Sequence, residues 1–159
     1  MASDSASKAY EYAVKLLTRK DYSEYELRQK LKSRCSQSDA DEIILRLQEN
    51  RYQSDERCAE MLVRHYLGNG YGRMKIYFEA CQKKLSRATV DNILDEMNPD
   101  WVGVAVELIF RRGSEIDKAD YQEKKKIIAF LVRRGYSVDE AVKALKKAVL
   151  LAGQEKEEN

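Results

Sequence analysis

Apolar residues recur along this chain at positions i, i+3, i+4 and i+7, the spacing that places side chains on one face of an α-helix. Polar residues fill the positions between them, so each stretch predicts an amphipathic helix with one buried stripe. The pattern returns three times at intervals of about fifty residues, in Ala40, Ile43, Ile44 and Leu47, then Val90, Ile93, Leu94 and Met97, then Val138, Ala141, Val142 and Leu145. The chain is therefore predicted to be a repeat protein.

Two further helices are predicted before each of these stripes. The first has the same spacing in every repeat, in Tyr10, Ala13, Val14 and Leu17, then Ala59, Leu62, Val63 and Tyr66, then Val102, Ala105, Val106 and Ile109. The second has a narrower stripe one turn long, in Leu27 and Leu31, Ile76 and Ala80, and Ile127 and Leu131. This predicts an all-α fold of three tandem three-helix, helix-turn-helix-like repeats. Because three short helices bury little surface alone, we expect the repeats to stack into an elongated, curved array.

Capping residues and glycines set the expected helix boundaries. Ser23 with Glu26, and Ser137 with Glu140, have the spacing of capping boxes. Further N-caps are expected at Ser38, Ser54, Ser86 and Asp100, and helix ends at the glycines of 68–72 and at Gly135. The expected domains are a flexible N-terminus at 1–7, repeats at 8–53, 54–98 and 99–150, and a polar C-terminal tail at 151–159.

The third repeat has a longer connection between its first and second helices than the other two. The extra segment, 112–118, is mostly polar. Such a segment is either a surface loop that contacts a partner or an insertion that the fold tolerates, and both interpretations stay open.

Composition narrows the class of protein. The 159 residues are 43% hydrophobic, which is enough for a core, while 35% are charged. No stretch approaches the roughly 18 apolar residues of a membrane span, and the first residues lack the pattern of a secretory signal. We therefore expect a cytoplasmic protein without a membrane partner.

Catalytic and metal-binding motifs are not found in the sequence. His65 is the only histidine, and neither a Gly-x-Ser-x-Gly elbow nor a Walker loop is present. Cys35, Cys58 and Cys81 form no Cys-x-x-Cys pair, so free thiols are expected in place of a disulfide or a zinc site. The sequence thus predicts a protein that is not an enzyme and needs no cofactor.

Basic residues are the remaining candidates for function. Net charge is only +2, but 61–90 is strongly basic and 91–100 is acidic, which would give either one positive face across the repeats or an ordinary solvated surface. Near the ends of the second helices, Arg34, Lys83 and Arg134 occupy equivalent places, where a cation also complements the helix dipole. The candidate contacts to phosphate or to an acidic protein are Arg28, Arg64, Arg73, Lys75, Lys83, Lys84, Lys124, Lys125, Lys126, Arg133 and Arg134.

Four ordered motifs resemble the RecX family, the bacterial modulators of the RecA recombinase. Residues 23–31 resemble its S-x-x-E-L-R-x-K-L signature, and Tyr52 to Asp55 with Ala59 resembles its Y-x-x-D-x-x-x-A segment. Residues 70–76 are similar to its glycine turn and following helix, and 130–136 to its closing L-x-x-R-G-[FY] motif. The resemblance extends from Ala9 to Val149.

The resemblance implies a non-catalytic monomer that binds in the groove of the RecA filament on DNA. There it would inhibit ATP hydrolysis and strand exchange, and so modulate DNA repair, recombination and the SOS response. The alternative is a module that binds single- or double-stranded DNA directly, without RecA, since three-helix units resemble helix-turn-helix folds. A scaffold for some other protein is a third possibility.

Overall fold

The computed structural model describes residues 4–113 and 115–158, and every regular element in these ranges is a helix. The α-helices are α1 (Asp4–Arg19), α2 (Glu24–Leu31), α3 (Gln37–Glu49), α4 (Asp55–Gly68), α5 (Arg73–Gln82), α6 (Arg87–Met97), α7 (Trp101–Arg111), α8 (Tyr121–Arg133) and α9 (Val138–Glu158). A short 3₁₀ helix, Ile116–Lys118, lies between α7 and α8. The all-α prediction of three tandem helix triplets is confirmed for the described residues, while the elongated, curved stacking stays a prediction.

The chain divides into two compact units. One comprises Met1–Leu62 with Glu79–Ile93, and the other comprises Val63–Phe78 with Leu94–Asn159. The first unit therefore holds all of α1 to α3, and the second holds all of α7 to α9. Each helix of the middle repeat contributes residues to both units.

The core of the first unit follows the predicted stripe of α3. Ala40, Ile43, Ile44 and Leu47 are all buried, and they form one cluster with Leu27 and Leu31 of α2 and with alanines of α1. This burial is the main stabilising contribution in the repeat, at about 25 cal/mol per Å² of apolar surface removed from water.

The core of the second unit corrects the predicted stripe of α9. Val138 is 61% exposed, whereas Ala141, Ala144, Leu145 and Ala148 are buried against α7 and α8. The same spacing therefore begins one turn later than predicted, because small alanines fill the packed positions and Val138 begins the helix outside the core. In α6, similarly, Met97 is the last helical residue and is 38% exposed.

Helix starts agree with the predicted caps except at one position. Both capping boxes form, with Ser23 and Ser137 each exchanging two hydrogen bonds with the glutamate three residues later. Ser54, Ser86 and Asp100 accept hydrogen bonds from the backbone three residues on. The expected cap at Ser38 is wrong, because α3 begins earlier and Ser36 accepts the bond from the Asp39 N–H.

Six helix ends among the described residues use a left-handed residue, Asn98 after α6 and Gly113 after α7 among them. Gly70 and Gly135, where helix ends were predicted, have φ of 78° and 105°. After α3 and α5 the corresponding places are occupied by Arg51 and Lys84, with φ of 61° and 56°. At Lys84, the Leu85 N–H donates to the Ala80 carbonyl at 3.0 Å, the long hydrogen bond of a Schellman motif. Such ends turn the chain sharply into the next helix.

The long connection of the third repeat is packed against α9. Ile116 is 1% exposed and joins the core of the second unit, and the Lys156 ammonium lies 2.7 Å from the Asp117 carboxylate. Ser114 lies outside the described residues. The described part of this segment is therefore folded, and its role toward a partner stays a prediction.

Both terminal helices extend into the segments expected to be termini. Helix α1 begins at Asp4, and α9 continues to Glu158. Residues 1–3 and 159 lie outside the described residues.

Candidate interaction surfaces

The eleven basic candidates differ in whether another group of the protein already binds them. Within the first unit, Arg28 forms ion pairs with Glu24, at 3.1 Å, and with Asp41. The hydrogen bond that Arg28 donates to Asp41, together with Glu24 and against the effect of burial, raises the pKa of Arg28 above its ordinary value. Arg28 therefore joins α2 to α3.

Lys83 belongs to the same unit and pairs with the glutamate of the first capping box. Its ammonium lies 2.9 Å from Oε2 of Glu26, while Oε1 accepts the Ser23 N–H at 3.0 Å. Burial alone would raise the pKa of Glu26, but the Ser23 hydrogen bond and the Lys83 cation outweigh it and hold that pKa below 4.5. Both side chains are about a quarter exposed, so this pair is partly screened from water.

The capping-box glutamate of α9 has a similar second partner in the second unit. Arg73 lies 3.4 Å from Oε2 of Glu140, and its guanidinium stacks 5.0 Å from the centroid of the Trp101 ring. The two cations at the ends of the α5 segment, Arg73 and Lys83, are thus both bound to capping-box carboxylates.

Lys75 projects from α5 toward a group of aromatic rings. Its ammonium is 5.9 Å from the ring centroids of Tyr66 and Tyr71 and 5.6 Å from that of Phe78. Lys75 also lines an open depression of about 500 Å³ together with His65, Tyr66, Asn69, Tyr71 and Arg134. Cation–π attraction at such distances holds the lysine against the protein surface.

Arg134 is bound mainly by backbone carbonyls. Its guanidinium donates to the carbonyls of Asn69 and Gly70, and it lies 4.0 Å from the centroid of the Tyr71 ring. The equivalent Arg34 stacks on Tyr12 at 3.6 Å, and Lys83 binds Glu26. All three equivalent cations therefore have internal partners, as a structural role requires.

Arg134 also belongs to a tight junction between the glycine turn before α5 and the end of α8. Gly72 N–H donates to the Arg134 carbonyl at 2.8 Å, and Met74 N–H donates to the Gly135 carbonyl at 3.0 Å. A Cβ on Gly72 would lie 2.4 Å from the Gly135 carbonyl carbon, so only glycine fits. Two of the motifs that resemble the RecX family are thus in direct contact.

Tyr136 completes this junction from inside. It is 2% exposed, and its hydroxyl donates to the Gly70 carbonyl at 2.9 Å. Burial raises the pKa of Tyr136 to about 12, against an opposing effect of Arg134. The phenol is therefore a neutral hydrogen-bond donor at physiological pH.

Apart from Arg64, the remaining candidates have few internal partners among the described residues. Lys84 lies 5.8 Å from the Tyr25 ring and Lys125 lies 5.2 Å from the Tyr121 ring. Across 4–113 and 115–158, no ion pair or ring contact is formed by Lys124, Lys126 or Arg133, whereas Arg64 interacts with other described groups. The role of all eleven residues toward a partner stays a prediction.

Sequence reasoning missed the uncharged residues that accompany the free cations on α8. Tyr121 is 70% exposed and Val132 is 40% exposed. The available signal was their helical spacing from Lys125 and Arg133, which places all four on the polar side of the helix.

Two further properties concern membranes and metals. Among the described residues, none of the helices combines the length and apolar character of a membrane span. The same residues contain no cluster of three or more histidine, cysteine, aspartate and glutamate side chains suited to a metal ion.

Fold and sequence comparisons together define a regulatory protein built from three tandem three-helix domains. Models of the first, second and third three-helix domains of RecX match residues 9–47, 54–94 and 104–145. The chain belongs to the RecX family.

Relatives named regulatory protein RecX match over most of their length. The Legionella pneumophila (strain Corby) protein is 32% identical over 142 residues, covering 89% of this chain and 95% of the relative. The Haemophilus influenzae (strain PittEE) protein is 33% identical over 138 residues, covering 85% and 91%. The crystal structure of RecX from Lactobacillus salivarius has a TM-score of 0.80 at 23% identity, covering 92% of this chain and 98% of that one, and so supports the fold.

Proposed function

We propose that this protein is a non-catalytic regulator that binds in the groove of the RecA filament on DNA and inhibits ATP hydrolysis and strand exchange. It would act in the cytoplasm as a monomer and thereby modulate DNA repair and recombination. The observation that carries this proposal is the match of all three RecX domains, in order, in one chain. The relatives are named regulatory proteins, which is in keeping with a role that involves no catalysis.

The repeated architecture supports a filament as the partner. A filament offers the same binding features at regular steps, and linked units that bind successive steps gain affinity from their high effective concentration. Three tandem domains in one chain could engage such a partner more tightly than any single domain.

A RecA ATPase assay on single-stranded DNA tests this proposal. We expect the rate of ATP hydrolysis to fall as the full-length protein is added, and strand exchange to fall in parallel. The protein without RecA should hydrolyse no ATP. An unchanged RecA rate at saturating protein would contradict the proposal.

Direct DNA binding without RecA is the second candidate, favoured by the cations of α8 that form no ion pair in the described part of the chain. It predicts binding to naked DNA that weakens steeply with salt, because each phosphate contact releases counterions. Binding that requires nucleotide-loaded RecA would argue against this alternative and for the first proposal.

A further inference from the structure

The solvent-facing side of α8 carries a continuous positive strip, which we call the α8 strip. It consists of Tyr121, Gln122, Lys125, Lys126, Ala129, Val132 and Arg133, all exposed. At about 100° per residue these positions fall on one side of the helix, while Ile127 and Leu131 on the other side are buried. Glu123, the only acidic residue of α8, lies three residues before Lys126 but forms no ion pair with it.

Its charges are available to a partner. Neither Lys126 nor Arg133 has an ion-pair partner among the described residues, and Lys125 only faces the Tyr121 ring at 5.2 Å. This distinguishes the strip from Arg28, Arg73 and Lys83, each of which is held by a carboxylate of the protein.

We infer that the α8 strip binds the sugar-phosphate backbone of the DNA within the complex that the protein forms with the RecA filament. This inference rests on the proposed function, to which it adds the surface and the chemistry of one contact. Three cations that form no ion pair among the described residues fit a polyanion. The two lysines favour phosphate over protein, since lysine is depleted at protein–protein interfaces and common at DNA backbones.

The spacing of the strip also suits DNA. Lys125 and Arg133 are separated by about 12 Å along the helix axis, which corresponds to three or four nucleotides at the 3.4 Å rise of one strand. Ala129, between them, leaves room for close approach of a backbone. The exposed ring of Tyr121 offers a surface on which an unpaired base can stack.

The first experiment measures binding of labelled single-stranded and duplex DNA to the full-length protein, without RecA, across a salt series. We expect the K125Q/K126Q/R133Q variant to bind about tenfold more weakly, and the slope of log K against log salt to fall by about two to three units. The control K15Q/R19Q/K30Q removes the same charge from exposed positions of α1 and α2 and should bind like the wild type. Equal losses in the two variants would overturn the inference. If the wild type binds DNA only together with RecA, the same variants are compared on nucleotide-loaded RecA filaments, where equal losses again overturn it.

A second pair of variants separates charge from shape. Ala129→Glu and Ala129→Gln add side chains of the same size and of similar helix propensity at an exposed position. We expect Ala129→Glu to weaken DNA binding about tenfold and Ala129→Gln about twofold. Equal effects would show that phosphate attraction does not act at this strip.

RecA ATPase assays on the same variants distinguish failure of the inference from failure of the proposed function. Inhibition that is lost in K125Q/K126Q/R133Q while DNA binding is unchanged would assign the strip to an acidic protein surface and overturn the inference. A wild type that binds DNA through the strip but leaves RecA unaffected would refute the proposed function and leave the strip assigned to DNA.

Discussion

Helices α5 and α8 are the second helices of adjacent repeats, and both belong to basic segments, but the protein uses their charges in different ways. The cations flanking α5, Arg73 and Lys83, bind Glu140 and Glu26. The exposed cations of α8 form no ion pair with a carboxylate among the described residues. The basic residues of α5 therefore stabilise the fold, whereas those of α8 remain available for a partner.

The difference comes from what lies opposite each helix. A capping-box glutamate uses one oxygen for its own helix start and leaves the other free, as Glu26 does for Lys83. Among the described residues, no capping-box glutamate pairs with a cation of the α8 strip. Counting charges along the sequence therefore does not distinguish basic residues that are paired with a carboxylate from those that are not. Only the folded structure shows this difference.

The largest expected effect is at the junction that fixes the start of α5 against the end of α8. Gly72→Ala would place a methyl group 2.4 Å from the Gly135 carbonyl carbon, and the hydrogen-bonded backbones on both sides leave little room to shift. We expect the free energy of unfolding to fall by about 3 kcal/mol or more, measured by urea denaturation.

The matched control is Gly153→Ala in α9, where a Cβ meets no atom within 4 Å. It should be neutral or stabilise the protein by up to about 1 kcal/mol, because alanine is the better helix former. Similar midpoints for the two variants would show that the close approach at Gly72 has no energetic weight.

Tyr136→Phe tests the same junction from inside. It removes the hydrogen bond to the Gly70 carbonyl, which still accepts a hydrogen bond from Arg134. We expect the free energy of unfolding to fall by about 1 to 2 kcal/mol at neutral pH. The pKa of the folded phenol, about 12, exceeds its unfolded value of 10.0. The contribution of this phenol is thus complete below pH 10 and is lost as pH rises toward 12.

Alkaline denaturation of the wild type and of Tyr136→Phe therefore gives a specific signature. The stability advantage of the wild type should shrink above pH 10, while it stays constant between pH 7 and 9. A constant difference at all pH values would mean that Tyr136 is not buried as a neutral donor.

Lys83→Met sharpens the comparison at α5 itself. It removes the partner of Glu26. Since both side chains are mostly buried, we expect the free energy of unfolding, measured by urea denaturation at pH 7, to fall by about 1 kcal/mol. The Glu26 pKa is lowered in the fold, so the pair stabilises above pH 4.5 and its contribution disappears as pH falls below that value.

The dependence of stability on pH in the acid range provides the control for this variant. Wild type and Lys83→Met should converge in stability as the pH falls below 4.5. Glu26→Gln should also lower the free energy of unfolding less in the Lys83→Met background than in the wild type. Additive losses would indicate that the two side chains act independently.

Much of the fold was predictable from local chemistry, since capping boxes and i, i+4 spacings involve residues within one or two helical turns. Ser23, Ser137 and the α3 stripe were predicted correctly for this reason. The shift of the α9 stripe was not predicted, because alanines carry a weak hydrophobic signal. Partners of the cations were also hidden, since Lys83 and Glu26 are 57 residues apart.

The smallest expected effect completes the comparison at α8. Because the cations of the α8 strip are exposed and Lys126 and Arg133 lack ion pairs among the described residues, K125Q/K126Q/R133Q should change the free energy of unfolding by less than about 0.5 kcal/mol. Urea denaturation of this variant beside Lys83→Met checks the result. A loss above about 1 kcal/mol would mean that the charges of α8, like those of α5, stabilise the fold.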